Sequence, residues 1–212
     1  MEFQPEAGDA LIIIDPQNDF CPGGALAVAG GDEIMVDIGA LAERFPLVVI
    51  TQDWHPQGHK SFASSHDGGQ PFGTAELDYG VQVLWPDHCV QGTKGADFHP
   101  ALAGAVERAH LILRKGYNPG IDSYSAFFEN DRRTATGLAG YFRDKGVGRC
   151  IFVGLAYDFC VAWSAQDAIR LGFGAVVLKP LTRAIAMDVA EGGTTADAAE
   201  ASFREAGVVL VA

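Results

Sequence analysis

Four side chains able to do chemistry each follow an apolar run of the sequence. Asp15 ends the run ALIIID, Asp53 ends LVVITQD, Lys115 ends HLILRK, and Cys160 follows RCIFVGL after a glycine-led bend. In open α/β sheets, ligands bind at the carboxyl ends of the strands. If these runs are parallel strands, a thiol, an ammonium and two carboxylates therefore converge at one rim of the sheet.

Cys160 is the candidate nucleophile of this group. It is expected in the first turn of a helix that contains DFCVAWSAQDAIRL, where unpaired N–H groups and the positive end of the helix dipole favour a thiolate. A nearby Lys115 ammonium would lower the thiol pKa further, and Asp15 could carry the thiol proton to a leaving amine. The alternative is an inert core cysteine, which is the usual state of a lone Cys. The convergence of the other groups argues against it.

A second constellation could bind a metal ion. The segment QDWHPQGH contains Asp53, His55 and His59, and His88 lies downstream in LWPDHC. An Asp-x-His pair at a strand end brings an oxygen and an imidazole to one ion, and a distant His can complete the set. Carboxylate with imidazole suits Zn²⁺, Fe²⁺ or Mn²⁺. The alternative is that these loop histidines are merely solvated.

The elements that must position these residues follow from the hydrophobic pattern. Continuous apolar runs indicate buried parallel strands, and six occur: ALIIID, LVVITQD, HLILRK, RCIFVGL, GAVVLKP and VVLVA. Amphipathic stretches lie between these runs and carry residues typical of helix starts and ends, so they are predicted to be helices. They are Asp32–Phe45, Pro100–Ala109, Asp131–Lys145, Asp158–Leu171 and Met187–Ala206. The alternation predicts an α/β fold, a doubly wound sheet of about six mainly parallel strands with helices on both faces.

The region from about residue 54 to residue 99 breaks this alternation. It is rich in Gly, His, Asp and Pro and too long for an ordinary connection. We therefore expect a long active-site loop region inside one domain that spans residues 1–212.

Composition excludes several classes of function. A net charge of −12 argues against nucleic-acid partners, which require clustered Lys and Arg. No run approaches the roughly 18 apolar residues of a membrane span, and the first ten residues do not resemble a signal peptide, so a cytoplasmic location without membrane partners is expected. The four cysteines form neither a disulfide framework nor a CxxC motif.

Five motifs in order resemble nicotinamidases, also called pyrazinamidases, of the isochorismatase-like cysteine hydrolase superfamily. They are LIIIDPQNDFCPGGALAV, TQDWHP, LWPDHCVQGTKGADFHP, RKGYNPGIDSYSAF and VGLAYDFCVAWSAQDA. The resemblance runs from about Ala10 to the last strand. It implies hydrolysis of nicotinamide to nicotinate and ammonia through a thioester, in NAD salvage, with action on pyrazinamide as well. The implied catalytic triad is Cys160, Asp15 and Lys115.

The resemblance also assigns binding roles. It implies one divalent ion on Asp53, His55 and His88, with Zn²⁺ favoured and Fe²⁺ or Mn²⁺ as alternatives, and the ion commonly binds the pyridine nitrogen of the substrate. His59 matches a ligand of some members, although the local spacing varies.

Two further features come from the same resemblance. The ring-stacking aromatics match Phe20 and Trp85, for which ordinary loop packing is the alternative. The backbone N–H groups of Ala156 and Cys160 match the oxyanion hole, which follows a cis peptide bond between Leu155 and Ala156.

Some questions stay open at this level. Phe159 stands where some members have His, and we expect it to change the polarity of the pocket rather than to abolish activity. In one rival mechanism a metal-bound hydroxide attacks the substrate and Cys160 is only structural. In another, the protein binds nicotinamide or a metal without catalysis. A homo-oligomer is compatible with the sequence.

Overall fold

The computed structural model describes residues 3–190 and 192–212. Its eight strands are β1 Asp9–Ile14, β2 Val48–Asp53, β3 Thr74–Leu77, β4 Gly80–Val83, β5 Leu111–Lys115, β6 Arg149–Leu155, β7 Gly174–Arg183 and β8 Val209–Val211. Six of them form a sheet in the order β5-β2-β1-β6-β7-β8, in which every neighbouring pair is parallel. The six predicted strands and their parallel arrangement are confirmed.

The strand order reverses at β1. The chain moves from β1 outward to β2 and β5, then returns to β6 and moves outward the other way. Because parallel crossovers are right-handed, this reversal places the two sets of connecting helices on opposite faces. The crevice at the carboxyl ends of β1 and β6 is the switch point where such sheets bind ligands. β1 and β2 are buried along their whole length, as strands covered on both faces must be.

The α-helices are α1 Met35–Ala42, α2 Ala103–Arg108, α3 Leu138–Asp144, α4 Ala162–Arg170 and α5 Thr195–Ala206. A π-helical turn, Tyr157–Val161, leads directly into α4. Single 3₁₀ turns lie at Asn18–Phe20, Ala63–Ser65, Lys94–Ala96 and Pro100–Leu102. Among the described residues no helix has both the length and the apolarity needed to cross a bilayer.

Two predicted helices begin seven and eight residues later than expected, at Leu138 and Thr195. In Asp131–Lys145, the Asp131 carboxylate accepts two backbone N–H bonds of 2.8 Å from the following residues, and Gly137 has a φ of 96°, so regular helix starts only after it. In Met187–Ala206, Thr194 forms a capping box with the third helical residue, which fixes the start of α5. Residue 191 of that predicted helix lies outside the described residues.

The long region after β2 has structure of its own. β3 and β4 pair as an antiparallel hairpin, and isolated bridges join His55 to Val90 and Phe62 to Trp85. These contacts fold the region back over the carboxyl end of β2. The functional loop expected there is a compact segment that carries two histidines and a tryptophan to the switch point.

Candidate active site

The Lys115 ammonium lies at the centre of a buried charged cluster. Its Nζ is 2.7 Å from Asp15 Oδ2 and 3.4 Å from Cys160 Sγ, and it also contacts Asp53 Oδ1. It also donates a hydrogen bond of 3.0 Å to the carbonyl of Ser123. The exposed fractions of the Lys115, Asp15 and Cys160 residues are 1%, 0% and 6%. The four strand-end residues predicted to converge are therefore brought together.

Backbone geometry aims Asp15 at this ammonium. The residue directly follows β1 and has a φ of 43°, in the left-handed region. Its N–H donates to Thr51 Oγ1 at 3.0 Å, and the Thr51 hydroxyl donates to Asp15 Oδ1 at 2.6 Å. Because β2 holds one carboxylate oxygen in this way, the other oxygen is directed to Lys115.

Cys160 lies in the π-helical turn that follows β6. The peptide bond between Leu155 and Ala156 is cis, and the Ala156 carbonyl accepts bonds from the N–H groups of Phe159 and Val161 at 3.2 and 3.0 Å. The sequence predicted a helical first turn here, and its π form is one often found at functional sites. Gly154 permits the bend, because it has a φ of 107° and a Cβ there would collide with the backbone of β1.

The charges around Cys160 differ from those expected from sequence. Burial raises the pKa of the Cys160 thiol well above its ordinary value; Lys115 opposes this rise, whereas Asp15 and Asp53 add to it. The resting group is therefore a thiol rather than the expected thiolate, because burial disfavours the charged form and the two carboxylates oppose the single ammonium. The nucleophile needs a base within the site.

Asp15 has the properties of such a base. Burial raises its pKa to about 6, with Lys115 lowering it and Asp53 raising it again. A carboxylate with a pKa near neutrality is a better proton acceptor than an ordinary one. For Lys115, burial lowers the pKa but the two carboxylates raise it well above its usual value, so the ammonium stays charged.

Asp53, His55 and His88 bring three potential ligand atoms within 4.8 Å of one another, and all three residues are buried. Burial alone would raise the pKa of Asp53, but Lys115 and the two imidazoles lower it to about 2, so this carboxylate is ionised. An ionised carboxylate beside two imidazoles is a donor set that Zn²⁺, Fe²⁺ or Mn²⁺ accepts.

The outer hydrogen bonds of the two imidazoles test whether this set fits a metal. His55 Nε2 lies 3.0 Å from Asp122 Oδ1, and His88 Nδ1 lies 2.8 Å from the Pro86 carbonyl. Such outer partners orient metal-binding histidines. His55 Nδ1 is buried without a hydrogen-bond partner among the described residues, and His88 Nε2 faces Asp53 Oδ2 at 3.8 Å. His88 Nε2 thus faces the carboxylate and His55 has one ring nitrogen free, so the residues fit a divalent ion.

His59 has a different environment. Its Nδ1 lies 2.8 Å from Ser61 Oγ and its Nε2 lies 2.8 Å from the Asn118 carbonyl. Both ring nitrogens are already used, although the ring packs against His55 with centroids 4.6 Å apart. The structure therefore favours packing of His59 beside the metal site rather than ligation.

A small cavity lies against Cys160, Asp53 and His88. Phe20 and Trp85, the predicted ring-binding aromatics, both line it. The remaining lining residues are Leu26, Asp122, Tyr124, Ala156, Phe159 and Ile185. Aromatic and aliphatic walls with polar groups at one end are typical of a site for a small planar molecule.

Sequence reasoning missed Asp122 and Tyr124. Asp122 orients His55, and Tyr124 Oη accepts a 3.0 Å bond from Trp85 Nε1. Both lie in the motif RKGYNPGIDSYSAF, seven and nine residues after Lys115, so their proximity to that residue was the available signal. Phe159 packs edge-on against Trp85 with centroids 4.9 Å apart, which makes it part of the cavity wall.

The other three cysteines do not line this cavity. Cys21, Cys89 and Cys150 are buried, and burial raises the pKa of each thiol. The raised pKa does not distinguish them from Cys160, whose thiol pKa is raised as well, but their position away from the cavity does.

Comparisons with known proteins agree with this geometry. A family model described as the isochorismatase domain matches residues 9–193. A nicotinamidase of Acinetobacter baylyi is 55% identical over 179 residues, which are 84% of this chain and 83% of that protein.

Solved structures give the same comparison in three dimensions. An Acinetobacter baumannii nicotinamidase and pyrazinamidase superposes with a TM-score of 0.92 at 48% identity, covering 98% of this chain and 97% of that chain. A Pyrococcus horikoshii pyrazinamidase in complex with zinc superposes with a TM-score of 0.75 at 33% identity, covering 96% and 98%.

Proposed function

The chain belongs to the isochorismatase family, and from this membership we propose that it is a nicotinamidase, which hydrolyses nicotinamide to nicotinate and ammonia. The observation that carries the proposal is the buried cluster of Cys160, Asp15 and Lys115 at the floor of an aromatic cavity. The similar proteins named as nicotinamidases and pyrazinamidases support this substrate class, with pyrazinamide as a second substrate. The product nicotinate would enter NAD salvage.

The proposed reaction begins with proton transfer from the Cys160 thiol to Asp15. The sulfur attacks the carboxamide carbon and forms a tetrahedral intermediate, whose oxyanion accepts hydrogen bonds from the N–H groups of Ala156 and Cys160. Asp15 then gives its proton to the amide nitrogen, the C–N bond breaks, ammonia leaves and a thioester remains. Asp15 next deprotonates a water molecule, which attacks the thioester and releases nicotinate, and the proton returns to the sulfur.

Lys115 and the cavity walls supply positioning and charge. The ammonium keeps Asp15 ionised enough to act as a base and stabilises the thiolate as it forms. Phe20 and Trp85 would hold the pyridine ring, so that the carboxamide faces Cys160.

Asp53, His55 and His88 would hold the divalent ion. When bound, this ion would act as a Lewis acid that anchors the pyridine nitrogen of the substrate. We propose Zn²⁺, because the zinc complex of the similar pyrazinamidase and the mixed carboxylate and imidazole donors both support it. The single-domain interpretation of residues 1–212, the cytoplasmic location and the oligomeric state stay predictions.

The test is ammonia release from nicotinamide by metal-loaded protein, compared with its Cys160→Ala variant. We expect turnover by the wild type and none above background by the variant, with equal metal content in both. Substantial ammonia release by the variant would refute the covalent mechanism in favour of attack by a metal-bound hydroxide. Absence of turnover by the metal-loaded wild type would favour a binding protein.

A further inference from the structure

Three consecutive residues each touch a different part of the proposed site. The Asp122 carboxylate meets His55 Nε2 at 3.0 Å, and the Ser123 carbonyl accepts the 3.0 Å bond from Lys115. The Tyr124 hydroxyl accepts the 3.0 Å bond from Trp85 Nε1. The segment Asp122–Tyr124 thus connects the metal site, the catalytic lysine and the ring-binding wall.

Two buried amide side chains outside the proposed reaction hold this segment. Gln82, on strand β4 of the hairpin, donates from Nε2 to Tyr124 Oη at 2.6 Å and to the Val83 carbonyl at 2.7 Å, and the same nitrogen lies 3.4 Å from Asp122 Oδ2. Asn130 accepts the Tyr124 N–H bond at 3.0 Å through Oδ1, and its own N–H donates to the Asp122 carbonyl at 2.7 Å. Asn130 Nδ2 also donates to Gln82 Oε1 at 3.0 Å, which joins the two amides into a pair.

The amide pair is buried, so the loss of one of its hydrogen bonds would be costly. The exposed fractions of Gln82 and Asn130 are only 2% and 8%. A buried amide that loses a partner leaves polar groups without solvent to replace it, so the pair has one strongly preferred arrangement. The hairpin that carries Gln82 is otherwise exposed at most positions. Gln82 connects it to the site together with the turn residue Tyr79, whose Oη accepts a 3.4 Å bond from the Asp122 N–H and donates a 3.0 Å bond to Gln82 Oε1.

We propose that the Gln82–Asn130 amide pair positions both the metal site and the ring-binding wall by fixing the segment Asp122–Tyr124. The part of this inference that concerns the ring wall rests on the proposed nicotinamidase function. Gln82 and Asn130 are positioning residues: they act through Asp122 on His55 and through Tyr124 on Trp85. The hairpin β3–β4 therefore sets metal affinity and substrate affinity together.

The experiment compares Gln82→Met, which keeps the length of the side chain and removes its hydrogen bonds, with two other variants. Tyr124→Phe removes only the hydroxyl and leaves the contact of Asp122 with His55. Gln166→Met removes a single side-chain hydrogen bond of 2.9 Å, to Ser202, on helix α4. Zinc affinity is measured by competition with a chromophoric chelator, without substrate, and KM and kcat are measured on nicotinamide at saturating zinc.

We expect Gln82→Met to weaken zinc binding by about tenfold, the lower end of the effect of outer-shell substitutions, and to raise KM by a similar factor with a smaller change in kcat. Tyr124→Phe should raise KM and leave zinc affinity unchanged, and Gln166→Met should change neither. If Gln82→Met does not yield folded protein, Asn130→Ser removes the other half of the pair and carries the same expectations.

A purely structural role would lower the melting temperature of the Gln82 variant while the folded protein keeps wild-type zinc affinity and KM, and that result would overturn the proposal. A change in KM without a change in zinc affinity would also overturn it, because the pair would then act on the ring wall alone. Failure of the wild type to hydrolyse nicotinamide would refute the proposed function, whereas the zinc measurement would still decide the metal half of the inference.

Discussion

Replacement of Lys115 by Met should convert the site from one that works near neutral pH to one that needs alkaline pH. Methionine fills most of the volume of the lysine side chain, so the main change is loss of the buried charge. At 2.7 Å and an effective dielectric constant of about 20, the attraction between the ammonium and Asp15 is about 6 kcal/mol, which is an upper limit for its loss. Removal of one partner of a buried ion pair costs about 3–5 kcal/mol.

The same numbers give the expected shift in pKa. One pKa unit corresponds to about 1.4 kcal/mol, so loss of half of that attraction raises the Asp15 pKa by about 2 units from its value of about 6. Because Asp15 must be ionised to accept the thiol proton, kcat/KM should rise with pH through about 6 in the wild type and only through about 8 in the variant. The free energy of unfolding at pH 7 should fall by about 3–5 kcal/mol.

The assay is the pH profile of ammonia release at saturating metal, with metal content measured at every pH. Lys179→Met is the matched control, because Lys179 pairs with Glu200 on the surface and its side chain is 49% exposed; its effect on stability should be below about 1 kcal/mol. The opposing outcome is a Lys115→Met enzyme with normal metal content and a kcat/KM that rises with pH over the same range as in the wild type. That result would refute the role of this ammonium in setting the basicity of Asp15.

Three other substitutions test separate parts of the fold and the cavity by urea unfolding and steady-state kinetics. Gly154→Ala should lower the free energy of unfolding by about 2–4 kcal/mol because of the positive φ of this residue and its contact with β1. Gly140→Ala, at an exposed position of α3, should raise it by up to about 1 kcal/mol; equal effects of the two changes would contradict this. Phe159→His should keep kcat within a few-fold of wild type and raise KM about fivefold through loss of about 1 kcal/mol of edge-on packing; complete loss of turnover would contradict it. Asp9→Asn should cost about 1–3 kcal/mol by breaking a bidentate arginine contact without changing kcat. Burial opposes but Arg149 lowers the Asp9 pKa below its ordinary value of 3.8. The cost should therefore disappear as the pH falls through this lowered pKa, and a cost that persists at still lower pH would contradict the ionic origin.

The sheet could be predicted from sequence because continuous apolar runs are typical of strands that are covered on both faces, as β1 and β2 are. The expectation of buried strands was wrong for the edge strands β5 and β8, which are partly exposed. The convergence of Asp15, Lys115 and Cys160 followed from the same pattern, since the carboxyl ends of parallel strands share one rim. Helix starts were less predictable. The helix expected from Asp131 begins after Gly137 because an aspartate side chain can hydrogen-bond the following backbone and so competes with the helix.

The protonation state of Cys160 was not available from sequence. A helix start and a lysine favour a thiolate, but the outcome depends on complete burial and on a second carboxylate, Asp53, beside the first. Asp122 and Tyr124 were missed for a related reason. The roles of this aspartate and this tyrosine depend on contacts that form only when the hairpin and the strand ends come together in the fold.

The strand order explains why the proposed metal ligand Asp53 contacts the proposed catalytic residue Lys115. Lys115 lies at the end of β5 and Asp15 at the end of β1, and β2 lies between them. Two strand spacings are about 10 Å, so a long flexible side chain must cross β2 to reach Asp15. On its way it passes the end of β2, which is Asp53, and it contacts that carboxylate as well. The proposed metal ligand on β2 is therefore within contact of a lysine that reaches Asp15 from β5. Changes at Asp53 should accordingly alter the reactivity of Cys160 even where they leave the metal bound.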